Sequence, residues 1–480
     1  MRGVWTTDRV RAAEEKVMAR TRPGALMRRA AFGVSVHAAR MLAEHTGRIS
    51  AGRVTLLVGA GNNGGDALWA GAFLRRRGVR VDAVLLAPER THAEGLAALR
   101  HAGGRLVPAA DQPAAVQDAD LVIDGIVGLS AHGGLRPAAA DLVAHIGSPV
   151  LAVDLPSGVE PDTGTVEGAA VTAAVTVTFG AYKPVHVLNP ARCGQVRLVD
   201  IGLGPELGEP DLVRLDPADV ADVWPMPAPD SDKYSQGVTG IAAGSSTYPG
   251  AAVLAAGAAV RATSGMVRYA GPAAEVVRGR WPEVIATGSL ADAGRVQAWV
   301  VGPGIGTGTG ARETLRTVLG AGMPVCADAD AVNLLAGNPE LFDARDPDTP
   351  LVLTPHAREF ERLTGAATSD RVDAARRAAR RFSAVVLLKG HSTVIAAPDG
   401  RVIVNVPEGS WLATAGSGDV LSGIIGALLA AGVDPWLAAG AGAYVHASAA
   451  RLAAGGAPTS ASPILDAIPD AIRALRAVRR

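Results

Sequence analysis

The stretch RVTLLVGAGNNGGDALWA, residues 53–70, leads from an apolar run through a glycine-rich loop into a helical pattern. The apolar run Arg53–Val58 predicts a strand that is buried on both faces of a parallel sheet. The glycines allow the backbone to turn tightly and to approach a ligand, and the helix that follows offers unpaired N–H groups to an anion. The stretch therefore predicts a phosphate-binding turn between a strand and a helix; a tight turn with an ordinary helix cap is the alternative.

Short apolar runs alternate with helical segments on the C-terminal side of this stretch. We expect a helix at Ala67–Arg77 and strands at Val79–Leu85, Asp120–Ile123, Pro149–Val153 and Val171–Phe179. This alternation is typical of βαβ units, and it predicts a doubly wound parallel sheet.

The alternation stops after about residue 201 and begins again after about residue 232, and the segment between is rich in proline, glycine and acidic residues. Such a composition predicts a linker. We therefore expect an α/β domain at residues 1–203, a linker at 204–231 and a second α/β domain at 232–480. In the second domain we expect helices at Ala251–Thr263, Arg371–Arg381 and Val420–Ala431, an edge strand at Val402–Val406, and further strands at Val238–Ala242, Ala298–Val301, Val325–Ala327, Leu351–Thr354 and Val385–Leu388.

The composition excludes several classes of protein. The 480 residues exceed the size of one hydrophobic core, and 46 basic residues balance 46 acidic ones, so the chain lacks the basic surface of a protein that binds nucleic acid or a membrane. The apolar run Val420–Ala431 is too short to cross a bilayer. Cys193 and Cys326 have no metal-ligand spacing and the N-terminus lacks a signal-peptide core, so we expect a cytoplasmic protein with reduced thiols.

Polar loops follow two more strands of the first domain. Asp124 follows one apolar run, and Asp154 and Ser157 follow the next. Because ligands of open α/β sheets bind at the carboxyl ends of strands, we expect these loops to converge with the glycine loop. Asn63, Asp124 and Ser157 offer oxygen atoms that suit an alkali or alkaline-earth cation better than zinc; each aspartate alone could also be a turn residue. Lys183, after another strand, could contact a phosphate or a ring, or could be an exposed turn lysine.

The strongest motif of the second domain is LATAGSGDVL, residues 412–421. Gly416, Ser417 and Gly418 place backbone N–H groups at the beginning of a helix, where they can bind a phosphate during its transfer. Asp419 lies in the first turn and can accept a proton from a substrate hydroxyl. An aspartate that only caps the helix is the alternative, but a cap does not require the glycines.

Other loops of the second domain support a nucleotide site. Lys389–Thr393 could meet phosphates through its amine and hydroxyls, and Gly302–Gly306 can bring backbone close to a ligand. His356 could hydrogen-bond a ligand or could be a solvated loop residue. Asp328 and Asp330 could bind a ligand directly or could cap a helix.

The segments GAGNNGGD (59–66), DGIVG (124–128) and VDLPSGV (153–159) resemble the NAD(P)H-hydrate epimerase family, over about residues 12–203. The resemblance implies interconversion of the R and S epimers at C6 of the hydrated nicotinamide ring. It implies a potassium ion at Asn63, Asp124 and Ser157, and it implies that the dinucleotide hydrate binds at Asn62, Asn63, Gly64, Gly65, Asp66, Gly128, Leu129, Ser130, Ala131, His132, Gly133, Gly134 and Asp154. The chain departs from the family pattern at Ala67, where glycine is usual, and at residues 128–130, where Gly-Leu-Ser replaces Gly-Thr-Gly.

The segments KYSQG (233–237), VGPGIG (301–306), LTPHAREF (353–360), LLKGHST (387–393) and LATAGSGDVLSGIIGALLAAG (412–432) resemble the ribokinase-like superfamily, and within it the ADP/ATP-dependent NAD(P)H-hydrate dehydratases. The resemblance implies phosphoryl transfer from ADP, with magnesium, to the C6 hydroxyl, and Asp419 as the base. It implies hydrate-binding residues Ala251, Gly304, His356 and Asp419 and nucleotide-binding residues Lys389, Gly390, His391, Ser392, Thr393 and Gly418. Departures from the family pattern are Trp281, Ala327 and Ser417.

Together the two resemblances imply a Rossmann-like doubly wound domain followed by a ribokinase-like α/β domain, acting on NADH-hydrate and NADPH-hydrate. The family's members commonly form oligomers, so a homo-oligomer is expected.

Two alternatives stay open for the second domain. A small-molecule or vitamin kinase would share the glycine-rich motif, and a nucleotide-sensing protein would need the phosphate cradle but not Asp419.

Overall fold

The structure is a computed structural model of the chain, and it describes residues 1–130, 133–263, 265–407 and 409–477. The chain forms two compact units. The first unit is Gly3–Leu212, and the second unit is Val213–Arg480 together with Met1–Arg2. The division lies within the segment 204–231, for which the sequence predicts a linker. In the part of the chain that the structure describes, no helix is long and apolar enough to cross a membrane.

The first unit is built on a parallel sheet. Its helices and the strands up to residue 199 are β1 (Arg2–Val4), α1 (Thr7–Met18), α2 (Ala25–Thr46), β2 (Arg53–Val58), α3 (Asn62–Arg75), β3 (Arg80–Leu85), α4 (Ala93–His101), β4 (Arg105–Leu106), α5 (Gln112–Gln117), β5 (Leu121–Gly125), α6 (Pro137–Ala144), β6 (Val150–Val153), β7 (Val175–Phe179), α7 (Pro184–Leu188), α8 (Pro190–Cys193) and β8 (Gln195–Val199). The strand order is β4-β3-β2-β5-β6-β7-β8, and each neighbouring pair is parallel. The prediction of a doubly wound parallel sheet is confirmed, and the order reverses between β2 and β5, where such sheets bind ligands.

Helix α3 begins at Asn62, five residues before the predicted start at Ala67. The glycine loop is therefore shorter than the sequence suggests, and Asn62–Asp66 form the first turns of the helix. Close backbone contacts make this possible, because a Cβ on Gly59 would lie 1.8 Å from the Ile126 carbonyl oxygen. The loop between β2 and α3 thus lies directly against the loop that follows β5.

The second unit is built on a mixed sheet. Its elements are β9 (Leu212–Arg214), α9 (Pro217–Val223), β10 (Val238–Ala242), α10 (Pro249–Ala262), β11 (Met266–Ala270), α11 (Ala274–Arg280), β12 (Ile285–Thr287), β13 (Ala298–Val301), α12 (Thr309–Leu319), β14 (Val325–Ala327), α13 (Asp330–Gly337), β15 (Leu351–Leu353), α14 (Ala357–Thr364), α15 (Arg371–Phe382), β16 (Val385–Leu388), β17 (Thr393–Ala396), β18 (Val402–Asn405), α16 (Ser417–Ala430), α17 (Pro435–Ala454), α18 (Ala461–Asp466) and α19 (Ile468–Ala477). The order runs β9-β18-β17-β16-β15-β14-β13-β10-β11-β12, and β17 is antiparallel to both of its neighbours.

The prediction that Val402–Val406 is an edge strand is wrong. Strand β18 pairs with β17 on one side and with β9 on the other, through Ile403 and Val213. This second neighbour, β9, comes from the segment that the sequence predicts as a linker. Its backbone pairs with N–H and C=O groups of β18 that would be unpaired in an edge strand.

Helix α16 is the centre of the core of the second unit. It is buried along nearly its whole length, and its small residues allow close packing on α10. A Cβ on Gly423 would lie 2.2 Å from the Ala255 carbonyl oxygen, so only glycine permits this approach. Because α16 is fixed in this way, the residues at its N-terminus are held at the carboxyl end of the sheet.

We expect Gly59→Ala to destabilise the first unit by about 1–3 kcal/mol, because the added methyl group would displace the loop after β5. Urea denaturation followed by tryptophan fluorescence measures the change. Gly204→Ala is the control, since nothing lies within 4 Å of a Cβ at that position. Equal stability of the two variants would contradict the close contact at Gly59.

Candidate active sites

The first unit has a cavity of about 840 Å³ at the carboxyl ends of its strands. Predicted hydrate-binding residues that line it are Asn62, Asn63, Asp66, Gly128, Leu129, Ser130 and Asp154. Gly64 and Gly65 instead pack inside the unit, where a Cβ on Gly64 would lie 2.3 Å from the Gly59 carbonyl oxygen. A Cβ on Gly134 would lie 2.0 Å from the Glu167 carbonyl oxygen. Ala131 and His132, also predicted to bind the hydrate, lie outside the described residues.

Asn63, Asp124 and Ser157, the predicted potassium ligands, lie close together. The Ser157 hydroxyl donates to Asp124 Oδ1 at 2.7 Å, and the Ser157 N–H donates to Oδ2 at 2.8 Å. The Asn63 amide donates to the Val127 carbonyl oxygen at 2.9 Å, so its Oδ1 faces Gly128. Burial raises the pKa of Asp124 to about 6, although the bonds from Ser157 lower it. One carboxylate among neutral oxygen atoms is a donor set that suits an alkali or alkaline-earth cation.

Lys183 forms a buried ion pair. Its Nζ donates to Asp154 Oδ1 at 2.5 Å, to Thr178 Oγ1 at 2.8 Å and to the Phe179 carbonyl oxygen at 3.0 Å. The side chain is only 1% exposed, so the alternative of an exposed turn lysine is wrong. Asp154 itself has a φ of +67°, which is rare for a residue other than glycine. The turn after β6 therefore presents this carboxylate to both the lysine and the cavity.

Sequence reasoning missed one carboxyl group of this cavity. Glu14 on α1 lines it together with Asp66 and Asp154. The signal was present in α1, because Val10, Ala13 and Val17 form its buried face and Glu14 follows Val10 by four residues. Burial raises the pKa of Glu14 to about 7.

In the second unit a lysine is again paired with a buried aspartate. Lys389 Nζ donates to Asp328 Oδ1 at 2.6 Å, and the Ser422 hydroxyl donates to Asp328 Oδ2 at 2.7 Å. Burial alone would lower the pKa of Lys389, but the charge and hydrogen bond of Asp328 raise it overall. Asp328 therefore does not act as a helix cap. Asp330 accepts a bond from the Gly306 N–H at 2.8 Å and so joins the glycine loop to α13.

Asp419 lies in the first turn of α16, beside this ion pair. A Cβ on Gly418 would lie 3.4 Å from Lys389 Nζ and 3.5 Å from Asp328 Oδ2, so the pair lies directly against the glycine-rich turn. Burial, and after it the charge of Asp328, raise the pKa of Asp419 to about 7, although Lys389 lowers it. A carboxyl group with this pKa at a helix N-terminus can take up a proton near neutral pH.

The loop Lys389–Thr393 is held from behind by a residue that sequence reasoning missed. The Arg371 guanidinium, at the start of α15, donates to the carbonyl oxygens of Leu388, Lys389 and Ser392 at 3.0–3.2 Å. His391 is exposed, whereas Ser392 is buried and its hydroxyl has no hydrogen-bond partner among the described residues. No local pattern marks Arg371, because its role depends on the neighbouring strand end.

The other predicted hydrate-binding residues of the second unit lie on neighbouring loops. Gly304 has a φ of +64°, and its Cβ would lie 2.9 Å from the Ala251 Cβ. His356 caps α14, since its Nδ1 accepts from the Glu359 N–H at 3.2 Å. Its ring is still 53% exposed, and its backbone pairs with that of Lys389. Its Nε2 lies 3.4 Å from Glu359 Oε1, and the exposed ring can still contact a ligand.

Comparisons with known proteins extend over both units. A family model described as NAD(P)H-hydrate dehydratase matches residues 239–469, and one described as YjeF-related protein N-terminus matches residues 23–185. A bifunctional NAD(P)H-hydrate repair enzyme of Mycobacterium leprae is 54% identical over 484 residues, which cover 99% of this chain and 100% of that protein.

Two solved structures resemble part of the chain. The ADP/ATP-dependent NAD(P)H-hydrate dehydratase of Bacillus subtilis, co-crystallized with ATP and Mg²⁺, is 28% identical with a TM-score of 0.50, covering 55% of this chain and 99% of that chain. A ribokinase-like superfamily protein of Enterococcus faecalis is 23% identical with a TM-score of 0.51, covering 55% of this chain and 96% of that chain. The predicted ribokinase-like fold is thereby confirmed.

We expect Lys183→Met to destabilise the first unit by about 3–5 kcal/mol, because it leaves Asp154 as an uncompensated buried charge. Adding Asp154→Asn should recover part of the loss, since the neutral amide removes that charge. Denaturation of the single and the double variant measures both changes in stability. Lys16→Met is the control, because Lys16 is exposed and lies 4.0 Å from Glu206, where an ion pair contributes at most about 1 kcal/mol. A similar loss in both single variants would argue against the buried pair.

Proposed function

Because the chain belongs to the family of bifunctional NAD(P)H-hydrate repair enzymes, we propose that its two units act on hydrated NADH and NADPH in succession. The first unit interconverts the R and S epimers at C6. The second unit dehydrates the S epimer with ADP and releases AMP and phosphate. The observation that carries this proposal is the position of Asp419. It lies at the N-terminus of α16, beside the buried pair of Lys389 and Asp328, and its pKa is raised.

In the second unit, Asp419 takes the proton of the C6 hydroxyl while the oxygen attacks the β-phosphoryl group of ADP and AMP leaves. Hydroxide is a poor leaving group, whereas phosphate is a good one. Loss of phosphate from C6 and of a proton from C5 then restores the nicotinamide ring. The protein contributes mainly position and charge, through Lys389 and the N–H groups at Gly416–Gly418.

The binding roles follow the arrangement of the loops. Lys389–Thr393 and Gly418 bind the nucleotide, and Ala251, Gly304 and His356 bind the hydrate beside Asp419. Magnesium would be held largely by the nucleotide phosphates, where it neutralises their charge; the carboxylates at these strand ends are Asp328 and Asp330.

In the first unit the hydrate occupies the cavity, with its phosphates at the N-terminus of α3 near Asn62 and Asn63. The residues Gly128–Gly134 and Asp154 complete the binding site. Potassium would be held by Asn63, Asp124 and Ser157, whose oxygen atoms lie together at the ends of β5 and β6. There it would fix the loops that border the cavity.

The proposal is tested by following the absorbance of reduced nicotinamide in a mixture of R and S hydrates, with and without ADP and Mg²⁺. We expect ADP-dependent recovery of the whole mixture, because the first unit supplies the S epimer as the second unit consumes it. Recovery of the S portion alone would refute the epimerase assignment. A stable phosphorylated product, without recovery, would instead indicate a small-molecule kinase.

We expect dehydration of the S epimer to lose activity as pH falls below about 7, because only ionised Asp419 can accept the hydroxyl proton. Asp419→Asn should lower kcat by at least about 10²-fold while ADP still binds. Steady-state rates against pH, with ADP affinity from calorimetry, measure both effects. Asp348→Asn, on the exposed surface of the same unit, is the control. Loss of ADP binding along with turnover in Asp419→Asn would contradict the role as base.

A further inference from the structure

Five carboxyl groups line the cavity of the first unit, those of Glu14, Glu15, Asp66, Glu94 and Asp154. Three of them, Glu14, Asp66 and Asp154, differ in the partners that balance their charge. Asp154 accepts bonds from Lys183 Nζ at 2.5 Å and from Thr178 Oγ1 at 2.9 Å, so its charge is balanced. Asp66 is 8% exposed, and its Oδ1 is buried with no hydrogen-bond partner among the described residues. Glu14 is only partly buried and faces the same cavity.

Lys183 forms its ion pair with Asp154, and Arg11 and Arg22 also line the cavity. Burial first, and then the charges of Asp154 and Glu14, raise the pKa of Asp66 well above its usual range. Burial likewise raises the pKa of Glu14 to about 7, where Lys183 and Arg11 lower it and Asp154 raises it. A carboxyl group with a pKa near 7 is partly protonated near neutral pH. Asp66 is the more enclosed of these two residues, and Glu14 is the one that a ligand can reach.

We propose that Glu14 is the catalytic residue that exchanges a proton with the C6 oxygen during epimerisation. The inference rests on the proposed epimerase function of the first unit and adds a named acid to it. Asp154, which forms an ion pair with Lys183, can stabilise positive charge that develops on the nicotinamide ring.

The proposed exchange is balanced. Glu14 gives its proton to the C6 hydroxyl, the C6–O bond breaks and water leaves, while the N1 electron pair forms a double bond to C6. Water then adds to the opposite face of C6, the electron pair returns to N1, the excess proton of that water passes to solvent, and solvent returns a proton to Glu14. Hydrate is converted into its epimer with no other reactant, and Glu14 ends each cycle as it began.

Several charged and titratable groups face Glu14 and must be considered in its pH dependence. Those on α1 and the loop that follows it are Arg11, Glu15 and Arg22, and those on the other elements are Asp66, His92, Glu94, Asp154 and Lys183. Because only protonated Glu14 can donate, epimerisation should lose activity as pH rises through about 7. This direction is opposite to that expected for Asp419 in the second unit.

The test compares Glu14→Gln and Glu14→Asp in the full chain, with purified R hydrate, ADP and Mg²⁺. We expect Glu14→Gln to lower kcat for the R epimer by about 10²–10⁴-fold with little change in KM, and to remove the loss of activity above about pH 7. Glu14→Asp should keep that pH dependence at a reduced rate. Dehydration of purified S hydrate by the same chain should be unchanged and reports that the second unit is folded, and the remaining activity of Glu14→Asp on R hydrate reports that the first unit is folded. Glu44→Gln, exposed on α2, is the matched control.

A second measurement follows the C6 oxygen in ¹⁸O-water. Because the C6–O bond breaks, we expect the wild-type protein to incorporate label as fast as it epimerises, and Glu14→Gln to lose both together. Wild-type protein that cannot use R hydrate would refute the epimerase function itself. If the wild-type protein uses R hydrate and Glu14→Gln has an equal rate or an unchanged pH dependence, the role of Glu14 is refuted while the epimerase function stands. Epimerisation without incorporation of label would also refute the role of Glu14.

Discussion

The close packing of backbone at the carboxyl ends of parallel strands is the constraint on which both sites depend. In the first unit, Gly59 lies against the Ile126 carbonyl oxygen at a distance that excludes any side chain. This contact joins the loops after β2 and β5, and it lets α3 begin at Asn62. In the second unit, Gly302 makes the equivalent kind of contact, because its Cβ would lie 1.9 Å from the Asp328 carbonyl oxygen. Glycine at these positions therefore determines where the helix N-termini and the polar loops meet.

The two units share the same electrostatic arrangement. Each buries a lysine against one aspartate, Lys183 with Asp154 and Lys389 with Asp328. In each case the lysine balances the charge of its own aspartate. Another carboxyl group lies nearby, Glu14 in the first unit and Asp419 in the second, and it has no such ion pair with the lysine. Burial is the main cause that raises the pKa of Glu14 and of Asp419 to about 7, and the nearby aspartates add to it. A carboxyl group with such a pKa can serve as an acid or as a base, and the substrate bound beside it decides which.

The order of the two proposed reactions gives a physical reason for their presence in one chain. Hydration of the nicotinamide ring yields two epimers, and phosphoryl transfer to a chiral C6 hydroxyl requires one fixed geometry for in-line attack. A dehydratase site that positions one epimer well must leave the other unused. An epimerase made in equal amount removes this limit, because each unit then works on the product that the other supplies or consumes.

The sequence alone determined the class of fold and the location of both glycine-rich turns. The apolar runs Arg53–Val58 and Val238–Ala242 and the turn before Asp419 are local patterns, and local backbone preferences decide them. Whereas the helical spacing of α1 already marked Glu14, only the tertiary structure revealed Arg371 and the buried state of Lys183. These roles depend on contacts between segments far apart in the chain, whose distance and burial set hydrogen bonding and charge. Only the fold, likewise, gave β18 its second neighbour in β9, because strand pairing is a long-range property that no local pattern encodes.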